Sequence, residues 1–465
     1  MSKPRSAHVF VPVVALAIVV IASLACGGTT TEKLQEAAEE ATPTASIVEP
    51  TTASTGEVEA APTSTLPPSP TVTPVPEAEA IQVVAQGFGQ DKQELGFAFL
   101  VENPNAGLAF ESTQYQVAVY DDADTVLETD SGYIELILPS QTLGVAGTMW
   151  LDEGVTVSKL EVQLLEGDSV PTEPIPTFTV ESSIYYAGEY SDAATGVINN
   201  PYGIDLQDIR VSAVVYDEGG EIIGGGFTYL NFILANGSTG IEVSVITSGD
   251  VATVELYPTV SGLTFLWEET ELPEGASNIA LAKQGFGQDD QEVGFGMLIE
   301  NPNGNFAIEN SQYHITAFAE DGHVLATEEG YVEVLLPNQT LGVAGAIYLI
   351  EDTDVARIDA QILAGDFVES DPLPYFTAEN VTYQPDEYLP QVTGQIVSPY
   401  NKDTTDVRVS AILYNEAGEI IGGGFTYLDF APANGKAAVE VSVTSSGIPA
   451  MAELYATVSA LSEFE

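Results

Sequence analysis

Few side chains in this sequence could carry out nucleophilic, acid–base or metal chemistry. The 465 residues contain one cysteine, Cys26, and three histidines, His8, His314 and His323. A Ser-His-Asp or Cys-His site needs an imidazole beside its nucleophile, and a zinc site needs several Cys or His ligands. We interpret His314 as a strand-surface residue and His323 as a turn residue. The residue types therefore predict no catalytic residue, no cofactor and no metal site.

Carboxylates, in contrast, are abundant, with 69 Asp and Glu residues. Two carboxylates can hydrolyse a glycosidic bond, so a hydrolase remains an alternative, although no pair is distinguished by its spacing. Asp121, Asp122 and Asp124 form an acidic turn that offers the hard oxygen ligands calcium prefers. The matching positions later in the chain hold one carboxylate, Glu320. Because the cluster is not repeated, we favour a solvated turn over a calcium site.

The net charge limits the class of partner. Only 11 Lys and Arg residues oppose the acids, so the formal net charge is −58. Nucleic-acid binding needs clustered basic residues that displace counterions from phosphates, and anionic lipid head groups repel an acidic surface. After residue 80 the chain still contains 60 acidic and 8 basic residues. The acidity therefore belongs to the folded part of the protein, whose hydrophobic content supports large cores.

The first residues have the features of an export signal. Lys3 and Arg5 precede a largely apolar run from Val9 to Ala25, which is short for a membrane span of roughly 20 residues. The run leads into ASLACG at 22–27, which resembles the lipobox of bacterial lipoproteins. That resemblance implies cleavage before Cys26 and lipidation of its thiol. We expect a signal peptide over 1–25 and an extracytoplasmic, membrane-anchored protein; the alternative is an uncleaved anchor helix.

Residues 26–80 are expected to form a disordered linker. They are rich in Thr, Pro, Ala and Glu and poor in large apolar side chains, so they cannot bury enough surface to offset chain entropy. The stretch 62–76 contains six prolines and favours an extended polyproline II conformation. We interpret the linker as a spacer that lifts the folded part away from the membrane.

The remaining sequence is a duplication without gaps. GFGQ at 87–90 recurs at 285–288, LPSQTLGVAG at 138–147 recurs as LPNQTLGVAG at 336–345, and EIIGGGFTYL at 221–230 recurs unchanged at 419–428. Each motif is shifted by 198 residues. A fainter repeat, ENPN at 102–105 and NNPY at 199–202, divides each unit in two. The sequence therefore predicts four modules, over 81–172, 173–267, 279–370 and 371–465.

Each module has the pattern of short antiparallel strands. Tyr115, Val117 and Val119 alternate with their neighbours at a period of two. Turn-forming residues follow, as in Asp121 to Asp124 and Glu218-Gly219-Gly220, and an apolar strand then resumes. Short strands separated by such turns indicate β-sandwiches.

The strand–turn–strand VSAILYNEAGEIIG at 409–422 resembles the FxLYD module, an immunoglobulin-like sandwich of bacterial envelope proteins. It is also similar to the type-2 late-embryogenesis-abundant (WHy) domains, in which an ENPN-like turn precedes the same hairpin. The resemblance covers all four modules, although the Phe and Leu positions of the FxLYD motif vary here. It implies a non-catalytic extracellular or envelope role without a fixed ligand.

One glycine run and the aromatic residues after it stand out. Gly224-Gly225-Gly226 lacks the Lys and the following helix of a phosphate-binding loop, so we expect a β-bulge or sharp bend between Ile223 and Phe227. Phe227 and Tyr229 then share one strand face. We expect these aromatic residues to fill the sandwich cores. If Tyr229 and its repeat Tyr427 were exposed, they would form twin contact patches.

Together these features predict an all-β protein of four tandem immunoglobulin-like antiparallel β-sandwiches, arranged as two repeats of two modules. We expect a non-catalytic, lipid-anchored monomer that acts in binding, adhesion or spacing. Its partner would be a protein or a glycan and not a nucleic acid. A solute-binding envelope protein, with an apolar cleft between modules, is the main alternative.

Overall fold

The computed structural model describes residues 78–188, 191–260, 262, 272–386, 388–459 and 462–463. The predicted signal peptide, Cys26 and nearly all of the linker lie outside these ranges. The described residues fold into antiparallel strands joined by turns, so the protein is all-β as predicted. Within them, no helix has the length and apolar composition needed to cross a membrane.

The first module is a seven-stranded sandwich. Its strands are β1 Gln82–Asp91, β2 Glu94–Glu102, β3 Leu108–Tyr120, β4 Val126–Ile137, β5 Thr142–Trp150, β6 Lys159–Leu165 and β7 Asp168–Pro171. One sheet has the order β1-β2-β5, and the other has the order β4-β3-β6 with β7 also paired to β3. Tyr115, Val117 and Val119 of β3 point into the core, as their alternation predicts.

The second module bends one continuous sheet into its sandwich. Its strands are β8 Thr179–Tyr186, β9 Asp192–Asn199, β10 Leu206–Tyr216, β11 Ile222–Ile233, β12 Ser238–Thr247 and β13 Thr253–Thr259. The strand order is β13-β10-β11-β12-β9-β8. β11 and β12 pair only where Gly224 and Gly225 meet Thr247 and Ile246, so the sheet turns its corner at the glycines.

The second unit repeats this architecture, except that the fourth module has two sheets instead of one continuous sheet. The third module contains β14 Ala280–Asp289, β15 Glu292–Glu300, β16 Phe306–Phe318, β17 Val324–Leu335, β18 Thr340–Tyr348, β19 Arg357–Leu363 and β20 Asp366–Glu369. The fourth contains β21 Thr377–Gln384, β22 Gln391–Val397, β23 Thr404–Tyr414, β24 Ile420–Ala431, β25 Lys436–Ser442, β26 Thr444–Ser445 and β27 Met451–Thr457. All strands of both units fall within the module ranges expected from the repeats.

Glycines bring the two modules of each unit into backbone contact. Strand β11 packs against the sheet β1-β2-β5, and a Cβ on Gly87 would lie 2.1 Å from the carbonyl oxygen of Ile222. A Cβ on Gly225 would lie 3.0 Å from both the Ala98 Cβ and the Phe97 carbonyl oxygen. The most strongly repeated motifs, GFGQ and the triple glycine, therefore form the interface between modules.

The expected bulge occurs next to the glycines and does not explain them. The register between β10 and β11 shifts at Tyr216, which pairs with Ile222, whereas Gly224, Gly225 and Gly226 continue in register opposite Val215, Val214 and Ala213. Close approaches on two sides account for the glycines. A Cβ on Gly225 would meet Phe97 and Ala98 of the neighbouring module, whereas a Cβ on Gly224 or Gly226 would lie 2.2 or 2.0 Å from the carbonyl oxygens of Ile246 and Ser244 in β12, where the sheet turns its corner.

The two units also pack on each other, through the second and third modules. The Tyr186 hydroxyl and the Thr195 hydroxyl both donate to the carbonyl oxygen of Val324, at 3.2 and 2.9 Å. The Gly240 amide donates to the Thr316 hydroxyl at 3.2 Å. We call this contact the inter-unit junction.

Candidate functional site

The aromatic residues that follow the triple glycine are on the surface, so the expectation that they fill the cores was wrong. Phe227 is 38% and Tyr229 55% exposed, and their repeats Phe425 and Tyr427 are 42% and 47% exposed. The strand alternates as predicted, with Phe227 and Tyr229 on one face. Periodicity shows which residues share a face, but it does not show which face is covered.

An arginine on the neighbouring strand holds these rings in place. Arg210 of β10 pairs with Tyr229 in the register of the sheet, and its guanidinium carbon lies 4.4 Å from the centroid of the Phe227 ring. The Phe227 and Tyr229 rings meet edge to face, with centroids 5.9 Å apart. Cation–π and edge-to-face contacts of this kind fix ring orientation.

The same arginine spans the seam between the two modules of the unit. Its Nη2 donates to the carbonyl oxygen of Ala146 in β5 at 2.6 Å, and its Nη1 donates to the Ser212 hydroxyl at 2.8 Å. In the second unit, Arg408 Nη2 donates to the Ala344 carbonyl oxygen at 2.9 Å and its guanidinium carbon lies 4.4 Å from the Phe425 ring. The arrangement is thus built twice.

A tyrosine of the first module lines a cavity together with these rings. Tyr133 of β4 is 53% exposed, and its hydroxyl oxygen accepts a hydrogen bond from Gln114 Nε2 at 2.6 Å. Between Tyr133 and Tyr229 lies an open cavity of about 490 Å³, whose acidic lining residues are Asp130, Glu135 and Asp208. The repeat of Tyr133, Tyr331, is also 53% exposed.

We call these groups tyrosine site 1 and tyrosine site 2. Site 1 comprises Tyr133, Arg210, Phe227 and Tyr229, and site 2 comprises Tyr331, Arg408, Phe425 and Tyr427. The twin contact patches considered in the sequence correspond to part of these sites. Arg210 and Tyr133 were not singled out there. The repeated sequences RVS at 210–212 and 408–410, and GY at 132–133 and 330–331, are the signals that could have found them.

The two sites adjoin across the inter-unit junction. The Asn231 amide of β11 donates to Glu329 Oε1 of β17 at 3.3 Å. Tyr229 precedes Asn231 by two residues, and Tyr331 follows Glu329 by two. At roughly 3.3 Å per strand residue, the backbone of each tyrosine lies roughly 7 Å along its strand from this contact.

Two glutamates at the junction have strongly raised pKa values. Burial raises the pKa of Glu242 to about 7, against the hydrogen bond from the Thr327 amide, which lowers it. Burial also raises the pKa of Glu328 to about 7, although the nearby Arg408 guanidinium lowers it. Desolvation disfavours the charged carboxylate in both cases. The junction therefore contains groups that change charge near neutral pH.

His314 and His323 lie in the third module, as the sequence requires, and His8 lies outside the described residues. His314 is fully buried, and its Nδ1 lies 2.9 Å from Glu329 Oε1, so the interpretation of a strand-surface histidine was wrong. The face of β16 that carries it is covered because the second module packs there. His323 lies in the turn before β17, where it pairs with Asp321. Neither imidazole lies beside a serine or cysteine nucleophile in any described contact.

The acidic turn at Asp121 is organised by its own backbone. Asp121 Oδ1 accepts hydrogen bonds from the amides of Ala123 and Thr125, both at 2.8 Å, and the Thr125 amide is the main cause that lowers the pKa of Asp121. This is an Asx-type turn. Across the described part of the chain, no group of three or more His, Cys, Asp or Glu side chains is placed to hold a metal ion.

Two further clefts lie between the first and second modules, with volumes of about 460 and 760 Å³. The larger one is lined by Trp150 together with carboxylates such as Asp91, Glu94 and Asp192. A solute-binding protein of the kind considered above would show a large apolar cleft. The clefts of this unit have a mixed polar and aromatic lining instead.

Comparisons with known proteins provide no family for this chain. No family model matches it, and no curated protein matches it significantly. Among solved structures, Escherichia coli alpha-2-macroglobulin activated by porcine elastase is 11% identical, with 82% of this chain and 42% of that chain covered and a TM-score of 0.13. The native conformation of the E. coli protein is 10% identical over 74% of this chain and 26% of that chain, with a TM-score of 0.10. This chain spans less than half the length of either, and likenesses at these scores carry no argument about function.

Proposed function

We propose that this is a non-catalytic, lipid-anchored protein outside the cytoplasm that binds a partner in the cell envelope or at the cell surface. The observation that carries the proposal is the exposure of the same tyrosine, phenylalanine and arginine arrangement in both units. Exposed clusters of large aromatic residues beside an arginine are typical of binding surfaces. Two such sites on one chain would add avidity if a partner engages both.

The anchor is supported by the lipobox-like sequence ending at Cys26. In cells grown with a radioactive fatty acid, the wild-type chain should become labelled. Cys26→Ser should abolish both the label and membrane retention. A Cys26→Ser chain that is processed and retained like the wild type would contradict the proposed lipid anchor.

Binding is tested with beads that carry the full-length chain and are mixed with isolated cell envelopes. The double variant Tyr229→Ala/Tyr427→Ala should retain much less envelope material than the wild type. Tyr388→Ala is the matched control, because Tyr388 is 82% exposed and lies outside both sites. Equal retention by the wild type and the double variant would contradict the assignment of binding to the tyrosine sites.

A carboxylate-dependent hydrolase is the second candidate, because a raised carboxyl pKa such as that of Glu328 is a property of a general acid. Burial at the inter-unit junction is its first cause, and the same burial acts on Glu242, which lies outside the tyrosine sites. The raised pKa values therefore follow the packing of the units and do not single out one reactive pair.

A further inference from the structure

We propose that the two tyrosine sites together bind an uncharged oligosaccharide chain, with sugar rings stacked on Tyr229 and Tyr331 and hydroxyl groups bound by the surrounding carboxylates and arginines. This inference rests on the proposed function, because it names the ligand class of the same sites.

The exposed rings provide the apolar half of such a site. Tyr133 and Tyr229 stand on opposite modules across the cavity of about 490 Å³, and each exposes more than half of its surface. The cavity lies within the range of roughly 300–1,000 Å³ that small ligands occupy. A sugar ring presents a face of C–H groups, which packs on an aromatic face, and a rim of hydroxyl groups.

Polar groups of both kinds surround the rings. The carboxylates of Asp130, Glu135 and Asp208 line the cavity and can accept hydrogen bonds, while the Arg210 guanidinium can donate them. Hydrogen bonds to charged groups are about twice as strong as neutral ones. A hydroxyl-rich ligand can satisfy such a mixture because each hydroxyl both donates and accepts.

Charge argues that the ligand is neutral. The modules have 60 acidic and 8 basic residues, so their field repels an anionic ligand. A cationic ligand meets a different obstacle. The Arg210 guanidinium already lies 4.4 Å from the Phe227 ring, so it occupies the place where a ligand cation would contact that ring. Arg408 does the same on Phe425 in site 2.

The placement of the sites argues for a chain of several sugars. Burial is the first cause that raises the pKa of Tyr331 in site 2, and the charges of Glu329 and Asp208 raise it further, so Asp208, which also lines site 1, lies near Tyr331. The Asn231 amide donates to Glu329 Oε1 at 3.3 Å, two strand residues from Tyr229 on one side and two from Tyr331 on the other. One extended ligand can therefore cross the inter-unit junction and contact both rings.

The test uses the full-length chain in a detergent without a sugar head group. Titration calorimetry is carried out with a panel of uncharged oligosaccharides, with acidic oligosaccharides and with a basic oligopeptide. We expect saturable binding of at least one uncharged oligosaccharide, nearly unchanged between about 0.05 and 0.5 M salt because no net charge is neutralised. Acidic oligosaccharides should not bind.

Variants locate the binding. Tyr229→Ala and Tyr331→Ala should each weaken it about tenfold or more, by analogy with other ring-stacking ligands, while Tyr388→Ala should leave it unchanged. Near-ultraviolet circular dichroism of each variant checks that the fold is intact.

Three results would overturn the inference: no uncharged oligosaccharide binds, binding survives both tyrosine substitutions, or only the basic peptide binds and does so with steep salt dependence.

The envelope-retention assay separates the two proposals. If retention still depends on Tyr229 and Tyr427 while no sugar binds, the ligand class is wrong and the binding function stands. Release of shortened sugars in the titrated sample would overturn the proposal of a non-catalytic protein.

Discussion

Individual residues decide how the inter-unit junction responds to pH. Glu242 of β12 and Glu328 of β17 are desolvated where the second and third modules meet. His314 and Glu329 pair in the same region, and Arg408 moderates the charge of Glu328. The repeat of Glu242, Glu440, is exposed among the described residues. Contact between the second and third modules therefore buries only one glutamate of this repeated pair.

A raised carboxyl pKa makes the folded protein less stable as the pH rises. Between about pH 4.5 and 7 the folded chain holds a proton on Glu242 that the unfolded chain has lost, so the free energy of unfolding falls through this window and is constant above it. Glu242→Gln should keep the hydrogen bond from the Thr327 amide and raise stability near about pH 8 by up to about 3 kcal/mol.

Denaturant unfolding at about pH 4 and 8 measures this effect. The control is Glu440→Gln, which should change stability little at either pH because that carboxylate is exposed. If Glu242→Gln raised the free energy of unfolding equally at both pH values, the carboxyl charge would not be the cause of the gain.

At the scale of strands, the glycines of β1, β2 and β11 set the distance between paired modules. Their missing side chains allow the sheet β1-β2-β5 to lie directly on β11, and this approach lets Arg210 reach the Ala146 carbonyl oxygen. The tyrosine sites depend on the same approach, because Tyr133 and Tyr229 come from different modules.

Gly87→Ala should therefore disturb the module interface. The added methyl group would lie 2.1 Å from the carbonyl oxygen of Ile222, and overpacking of this kind costs about 1–3 kcal/mol. Gly107→Ala is the matched control, since a Cβ there meets no atom within 4 Å. Thermal unfolding compares the two variants, and an equal melting temperature would contradict the role given to Gly87.

At the scale of the whole molecule, the described residues form one inter-unit junction, and the corresponding faces of the first and fourth modules are more exposed within the described part of the chain. Val324 is fully buried at the junction, whereas its repeat Val126 is 52% exposed. Three apolar junction residues, Ile184, Tyr186 and Ile350, are replaced at the ends by Thr382, Gln384 and Asp152. Polar terminal faces are the feature that stops repeat arrays from associating further.

We therefore expect the wild-type chain to be monomeric and the triple variant Asp152→Ile/Thr382→Ile/Gln384→Tyr to associate head to tail, because it restores the apolar contacts of the junction. Such contacts between unlike faces produce open chains or rings. Light scattering after gel filtration measures the mass at several concentrations. Asp152→Ile alone, which restores one end only, is the control and should remain a monomer. A monomeric triple variant would show that the apolar residues do not hold the junction.

Sequence alone predicts the all-β fold, the four modules and the two faces of each strand. Alternation and turn chemistry are local, and the repeat can be recognised by aligning the sequence with itself. The strand of Tyr115, Val117 and Val119 shows this, since its buried face is the predicted one.

The role of each surface depends on the tertiary structure, because burial depends on which module lies against which. Contact between modules accounts for Gly225, and a neighbouring module buries His314 while Phe227 and Tyr229 remain exposed. A strand has two faces of similar composition here, and local sequence does not record which one a distant module will cover.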